Sequence, residues 1–173
     1  MSDILTVAVL TGILNTMLTL ATPLLFAALG ETFSQNSGVL NLGVDGIMLL
    51  GAFGAFYAVL TTGNVWLGVL VAMAIGLVMG LIMSFVSVTL KAEQGVSGIG
   101  LQMFGLGMSS LLFKVMVGTV RTVKGFSRLQ IPILSDIPVI GPIFFNNTIL
   151  VYIAFALVPI SWWVLERTTI GLT

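Results

Sequence analysis

The candidate side chains for directional hydrogen bonds with a small molecule are a few amides, one hydroxyl and one carboxylate. They are Asn15, Asn36, Ser37, Asn41, Asp45, Gln94 and Gln102. Amides and hydroxyls recognise partners without needing an opposite charge, so a path lined by them suits a small neutral solute that carries hydroxyl groups. For Asn15 a second interpretation stays open, because an amide within a membrane span often bonds to another helix.

The stretch from Gly30 to Gly54, GETFSQNSGVLNLGVDGIMLLGAFG, contains much of this polar set and lies between two apolar runs. Five further glycines interrupt it: Gly38, Gly43, Gly46, Gly51 and Gly54. Irregular backbone is tolerated at membrane depth only where it lines a cavity, so a glycine-rich polar break predicts a transport site. The alternative is a solvated connection between two helices.

The elements that must position these residues are membrane spans. Of 173 residues 58% are apolar and only 7% are charged, whereas soluble domains carry about 25% charged residues. Apolar runs near the ~20 residues that a span needs lie at about 4–29, 46–62, 65–90, 98–118 and 147–165. We therefore predict an all-α integral membrane protein, with one transmembrane domain over residues 1–173. It has about five transmembrane helices and a broken or re-entrant segment after the first.

The start of the second helix decides what the break can bind. If the helix begins near Val39, Asn36 or Ser37 serves as its N-cap and its positive dipole end faces a cavity, which favours an anionic or hydroxyl-bearing ligand. Asp45 would cost roughly 2.5–3.5 kcal/mol at the bilayer centre. We therefore expect Asp45 to face water or to lie near the interface.

Two further features concern packing and the surface. Small residues recur at every fourth position of the third span and predict close helix packing: Gly68, Ala72, Gly76, Gly80 and Ser84. The long connection at 119–146 contains Arg121, Lys124 and Arg128 and several prolines. Its composition favours an ordered surface layer over a flexible tether.

Several function classes are excluded by what the sequence lacks. The chain has no cysteine and no histidine, and its net charge is zero, so thiolate chemistry and a basic surface for nucleic acid are absent. Nucleotide-binding and hydrolase motifs are missing as well. We expect no catalytic residue, no metal site and no cofactor, and any energy source must lie in another subunit.

Four motifs resemble those of one transporter family. They are SGVLNLGVDGIM from Ser37, LKAEQGVSG from Leu90, LSDIPVIGP from Leu134 and RTTIGL from Arg167. The chain resembles the permease subunits of bacterial ABC importers in the branched-chain amino acid, ribose and nucleoside group, and most closely the nucleoside or simple-sugar permeases. Gln35-Asn36 and Thr169-Ile170 depart from the pattern of that family, which has an acidic-basic and a basic-aromatic pair at these places.

The resemblance implies a translocating subunit in the bacterial plasma (inner) membrane. It also implies partners: a second permease subunit, ATP-hydrolysing ABC subunits and an extracytoplasmic solute-binding protein, together with the lipid bilayer. The chain would be the N-terminal part of a longer permease, with the 119–146 connection outside the cell. The positive-inside rule favours the opposite side for this connection because of its three basic residues. We follow the resemblance, since the difference is one or two charges.

Two other functions remain open. An ion-coupled carrier or channel would use titratable groups at mid-membrane, and only Glu31 and Asp45 qualify. If the chain is a subunit that serves only in assembly, uptake by the whole complex should be unchanged by Asn41→Leu and Asp45→Leu. A small neutral hydroxylated solute, a nucleoside or a simple sugar, remains the favoured substrate of an ATP-driven permease.

Overall fold

The described part of the chain, residues 7–130 and 140–168 of a computed structural model, is built almost entirely of helices. The elements, in order, are α1 (Val7–Asn36), α2 (Val44–Thr62), α3 (Val65–Ser84), which continues as a π-helical turn (Phe85–Thr89), α4 (Gln94–Met116), β1 (Arg128–Gln130), α5 (Ile140–Phe144), β2 (Asn146–Thr148) and α6 (Ile149–Arg167). Five of the helices are long and apolar enough to cross a membrane. The predicted all-α membrane class is confirmed.

Some predicted features fall outside the described residues. They are the beginning of the first span at 4–6, the part of the long connection at 131–139 and the C-terminal stretch 169–173. The described part of that connection is irregular over 118–127 and then contributes β1, α5 and β2.

Helix α1 ends at Asn36 and not at Leu29, because polar side chains alone do not terminate a helix. The Gln35 side-chain amide donates to Glu31 Oε1 at 3.1 Å, one helical turn earlier. The helix is terminated by the turn at Gly38, which has a φ of 81°, a conformation that glycine adopts without steric cost. The Gly38 N–H donates to Gln35 O at 2.9 Å and closes the last turn. The predicted break is therefore present, but it covers only residues 37–43.

Helix α2 begins at Val44, after Gly43, so the predicted alternative of a start near Val39 with Asn36 or Ser37 as N-cap is wrong. The reason is that the αL turn at Gly38 and the irregular residues after it separate Asn36 and Ser37 from the helix. Asp45 lies in the first turn of α2, whereas Asn41 precedes the helix.

The chain divides into two compact units, Met1–Gly30 with Phe126–Thr173, and Glu31–Gly125, and the boundary between them falls within α1. The second unit contains α2, α3 and α4. Gly43, just before α2, lies against Gly98 of α4, and Gly46 in the first turn of α2 lies against Gln102. Further along, Phe56 lies against Phe113. Helices α2 and α4 therefore run parallel. Helix α3, which connects them along the chain, runs antiparallel to α2.

Part of the predicted row of small residues packs against α2. Gly68 lies so close to the main chain of Ala55 that an added Cβ would be 3.0 Å from its carbonyl oxygen, and Ala72 lies beside Gly51. At Gly76 and Gly80 an added Cβ would meet nothing within 4 Å, and Ser84 is exposed. For these three residues close packing stays a prediction.

The first unit contains the described part of α1 up to Gly30, the two-stranded antiparallel sheet, α5 and α6. Strands β1 and β2 pair with Leu129 opposite Asn147. Asn147 and Val151 are each 1% exposed and form the most buried part of this unit. Side chains at the junction of β2 and α6 thus make the core of the first unit.

Candidate functional site

The break between α1 and α2 forms a network of hydrogen bonds that we call the polar junction, made of Glu31, Ser34, Asn41 and Gln94 with the backbone of residues 38–43. Glu31 Oε1 accepts the backbone N–H of Asn41 at 3.0 Å. The Ser34 hydroxyl donates to Val39 O at 2.7 Å, and Asn41 Oδ1 accepts the N–H of Gly43 at 2.9 Å. Side chains here satisfy the backbone groups that an irregular turn leaves without helical partners.

Gln94, at the start of α4, closes the polar junction from the other side. Its Oε1 accepts the N–H of Leu40 at 2.8 Å, and its Nε2 donates to Gly38 O at 3.1 Å. One amide thus binds two backbone groups of the break and ties α4 to it. The sequence predicted Gln94 as a path residue, and the structure gives it a structural task.

At this junction the N-termini of α2 and α4 each have a carboxylate of the chain close to their positive dipole end. Asp45 lies in the first turn of α2, and Glu93 is the N-cap of α4. Negative charge at a helix N-terminus complements the macrodipole. The positive end of α2, which was predicted to attract an anionic or hydroxyl-bearing ligand, therefore already has an anionic neighbour in Asp45.

The polar junction lies at one end of the helices. Helix α1 has 30 residues and is about 45 Å long at 1.5 Å per residue, so it exceeds a hydrocarbon core of about 30 Å. Its last turns contain Glu31, and the exposed residues Asp45, Lys91 and Glu93 lie in the first turn of α2 and just before α4. This concentration of charge belongs at the membrane–water interface. That Asp45 faces water or the interface stays a prediction.

The remaining candidate path residues are distributed differently. Asn36 and Ser37 are exposed at the end of α1, and the Ser37 hydroxyl donates to Phe33 O at 3.0 Å. Gln102 is half-buried, and its backbone lies against Gly46. The structure thus places Gln94 against the break that contains Ser37 and Asn41, and Asn36 and Asp45 lie in the helix ends on either side of it. A solute path through this set stays a prediction.

Asn15 belongs to a separate buried network in the first unit. Its Nδ2 donates to Asn147 Oδ1 at 2.9 Å, to Asn146 O at 3.2 Å and to Ile143 O at 3.3 Å. Asn15 and Asn147 are 6% and 1% exposed. The geometry matches the alternative interpretation of Asn15, in which the amide joins elements of the protein. Sequence reasoning did not single out Asn147, because an asparagine at a predicted span boundary is unremarkable.

A groove between α2 and α4, which we call the α2–α4 groove, was also missed by sequence reasoning. It has a volume of about 400 Å³, and its lining residues are Leu49, Ala52, Phe53, Phe56, Ser109, Ser110, Phe113 and Lys114. Its polar groups come from one face of α4. In the sequence, the adjacent serines and the lysine one turn later would indicate a groove only if α2 were already known to lie beside them.

We expect Gln94→Ala to weaken the polar junction by about 1–2 kcal/mol, because Leu40 N–H and Gly38 O both lose a partner. Hydrogen exchange of the Leu40 amide should accelerate by about tenfold. Gln35→Ala is a suitable control, since among the described residues that exposed amide bonds only to the Glu31 side chain. Unchanged protection of Leu40 in Gln94→Ala would contradict the proposed tie between α4 and the break.

The cap of α4 is expected to titrate at low pH. Glu93 precedes the span and accepts the N–H groups of Val96 at 2.6 Å and Gly95 at 2.9 Å, and the bond from Val96, then that from Gly95, lowers the pKa of its carboxyl. Because the folded pKa is lowered, the cap is fully formed above the ordinary value of about 4.3 and is lost as pH falls through the folded value.

The NMR shift of the Val96 amide should therefore titrate with a midpoint below about 4.3. Glu93→Gln should abolish this titration. The Trp66 amide, which the non-titrating Asn64 caps at 3.0 Å, supplies the internal control. A Val96 midpoint at or above the ordinary glutamate value would show that the carboxylate does not cap the helix.

Comparisons with known proteins identify the family. Residues 13–173 match the family described as branched-chain amino acid transport system / permease component. A Haloferax volcanii protein, provisionally named as a glucose ABC transporter permease protein, is 39% identical over 93% of this chain and 50% of its own length. The guanosine ABC transporter permease protein of Bacillus subtilis is 39% identical over 96% of this chain and 55% of its own.

A third relative, the nucleoside ABC transporter permease protein of Lactococcus lactis, is 34% identical over 92% of this chain and 53% of its own length. The chain thus spans about half the length of the curated relatives it matches. No solved structure matches it significantly. The resemblance noted from the four motifs is confirmed. The described residues contain five helices of spanning length, and the family match covers nearly the whole chain. The chain therefore belongs to the permease component family of branched-chain amino acid transport systems and is a multi-pass protein of the plasma membrane.

Proposed function

We propose that this chain is the permease subunit, or part of it, of an ATP-binding-cassette importer for a nucleoside or a simple sugar. The observation that carries the proposal is its similarity, over more than nine-tenths of the chain, to proteins named as ABC transporter permeases for glucose, guanosine and nucleosides. The solute passes between helices, and ATP hydrolysis in separate subunits drives the change of access.

The proposed partners are a second permease subunit, ATP-hydrolysing ABC subunits and an extracytoplasmic solute-binding protein. The connection at 119–146 is proposed to lie on the extracytoplasmic side. In its described part Arg121, Lys124 and Arg128 are exposed, so their charges are available to a partner or to water.

An ion-coupled carrier receives less support from the geometry. Its two candidate titratable groups are Glu31 and Asp45. Glu31 accepts two hydrogen bonds in the polar junction, and Asp45 is exposed in the first turn of α2. Both lie at the end of the helices, where a proton or ion relay across the membrane centre cannot use them directly.

Uptake of radiolabelled guanosine and glucose by vesicles that contain the complete importer tests the proposal. We expect uptake of one of the two to require ATP and to stop when the ATPase subunit carries an inactivating substitution. An uncoupler that removes the proton gradient should leave uptake unchanged. Asp45→Asn should not abolish it. Uptake that persists without a functional ATPase and fails with the uncoupler or in Asp45→Asn would identify an ion-coupled carrier and refute the proposal.

A further inference from the structure

The α2–α4 groove has aromatic walls. Phe56 of α2 and Phe113 of α4 lie with ring centroids 6.0 Å apart and planes tilted by 39°, and Phe53 stacks on Tyr57 at 6.1 Å. All three phenylalanines are half-buried, so part of each ring borders the open groove. Aromatic rings offer a favourable surface to a flat heterocycle, and every nucleobase has such a face.

The polar groups of the groove lie along one face of α4. Ser109 is 4% exposed and its hydroxyl donates to Leu106 O at 3.1 Å, which leaves the oxygen able to accept. Ser110 is exposed and lies one turn before Lys114, so the two are neighbours on the helix surface. A lysine ammonium pairs well with the O6 and N7 acceptors of a guanine-type base.

The balance of apolar and polar groups distinguishes between the two solute classes. A simple sugar carries a hydroxyl group on nearly every carbon around its rim, and the groove offers only Ser109, Ser110 and Lys114 as polar partners, so some of these hydroxyls would lose water without gaining a partner. A nucleoside instead combines one flat apolar surface with a few polar edges. The lining residues include a cation and no carboxylate, which also disfavours a positively charged solute. The space of about 400 Å³ is an open groove and not an enclosed cavity, so it offers a base one face and one edge to contact.

We propose that the α2–α4 groove is a binding site for the base of a purine nucleoside on its way through the importer. The base stacks against Phe56 and Phe113, and Ser110 and Lys114 contact its polar edge. This inference rests on the proposed function and narrows its substrate class from nucleosides and sugars to nucleosides.

A purine nucleoside that carries an azide on C8 is the probe for this site. In vesicles containing the complete importer, illumination should attach it within residues 49–56 or 109–114, as mapped by mass spectrometry. Excess guanosine should reduce this labelling, and the same concentration of glucose should not. Phe113→Leu and, separately, Lys114→Gln should each lower the labelling by about fivefold or more, as expected for the loss of one stacking or polar contact.

Phe104→Leu is the matched control. Phe104 is an exposed phenylalanine of the same helix that does not line the groove, and its substitution should leave labelling within about twofold, as for other surface positions. Because Lys114 is exposed, Lys114→Gln tests the site even if Phe113→Leu reduces the amount of folded protein.

Three outcomes would overturn the inference: labelling outside the groove, equal competition by glucose, or labelling that none of the groove variants changes. Labelling of the same residues by a phospholipid with a photoreactive acyl chain, unaffected by guanosine, would instead identify the groove as a lipid-facing surface. ATP-driven glucose uptake without groove labelling would remove this inference and keep the proposed function. Guanosine-sensitive groove labelling without ATP-driven uptake of either solute would remove the proposed function alone.

Discussion

Gly105→Val is expected to destabilise the protein by about 3 kcal/mol, because overpacking at a close backbone contact cannot be relieved by a side-chain movement. A Cβ at Gly105 would lie against the carbonyl group of Gly46, and a Cβ at Gly46 would be 2.5 Å from Gln102 O. These neighbours are main-chain atoms of the facing helix. The valine must therefore push α2 and α4 apart, which also disturbs the α2–α4 groove. The free energy of unfolding, measured by titrating SDS into detergent micelles, tests this.

The control for this prediction is Gly107→Val on the same helix. A Cβ at Gly107 meets nothing within 4 Å, so the same change of residue should alter the free energy of unfolding by no more than about 0.5 kcal/mol. Equal stability of the two variants would show that α2 and α4 do not approach each other at Gly105. Gly46→Ala should behave like Gly105→Val, because it places an atom in the same contact.

Asn147→Leu is expected to cost about 3 kcal/mol of stability through the buried network of the first unit. Asn147 is 1% exposed, accepts a hydrogen bond from Asn15 at 2.9 Å and donates one to Ile143 O at 2.7 Å. The leucine removes both hydrogen bonds, so the buried Asn15 amide and Ile143 O each lose one partner. A buried polar group without its partner costs about 1–3 kcal/mol. The same SDS titration measures the loss.

A double-mutant cycle separates the Asn15–Asn147 contact from the rest of the network. Asn15→Leu and Asn147→Leu together should cost about 1–2 kcal/mol less than the sum of the single changes, since either one already breaks the shared bond. Thr16→Val is the control, because within the described part of the chain its exposed hydroxyl bonds only to Gly12 O, at 2.9 Å. Strict additivity of the two leucine substitutions would mean that Asn15 and Asn147 do not interact.

The amino-acid sequence alone was sufficient to predict the class of this protein, its five helices of spanning length and its family. The first two follow from length and hydropathy, because a helix that crosses about 30 Å of hydrocarbon needs about 20 apolar residues whatever its neighbours are. The turn between α2 and α3 also has a local cause, since Gly63 takes a φ of 70°, which glycine favours. The family follows from four short motifs, each of which is continuous in the chain and does not depend on which helices pack together.

Tertiary structure decided what the polar side chains do. Gln94 bonds to a backbone group 54 residues away, and Asn15 bonds to Asn147, 132 residues away. An amide can pair with a solute, a backbone group or another amide equally well, so residue type and spacing cannot select among them. The spanning helices are also apolar on nearly all sides, and so no periodic polar face indicates which side meets a neighbour. The α2–α4 groove exists only because glycines let two parallel helices approach, which places residues from both in one site.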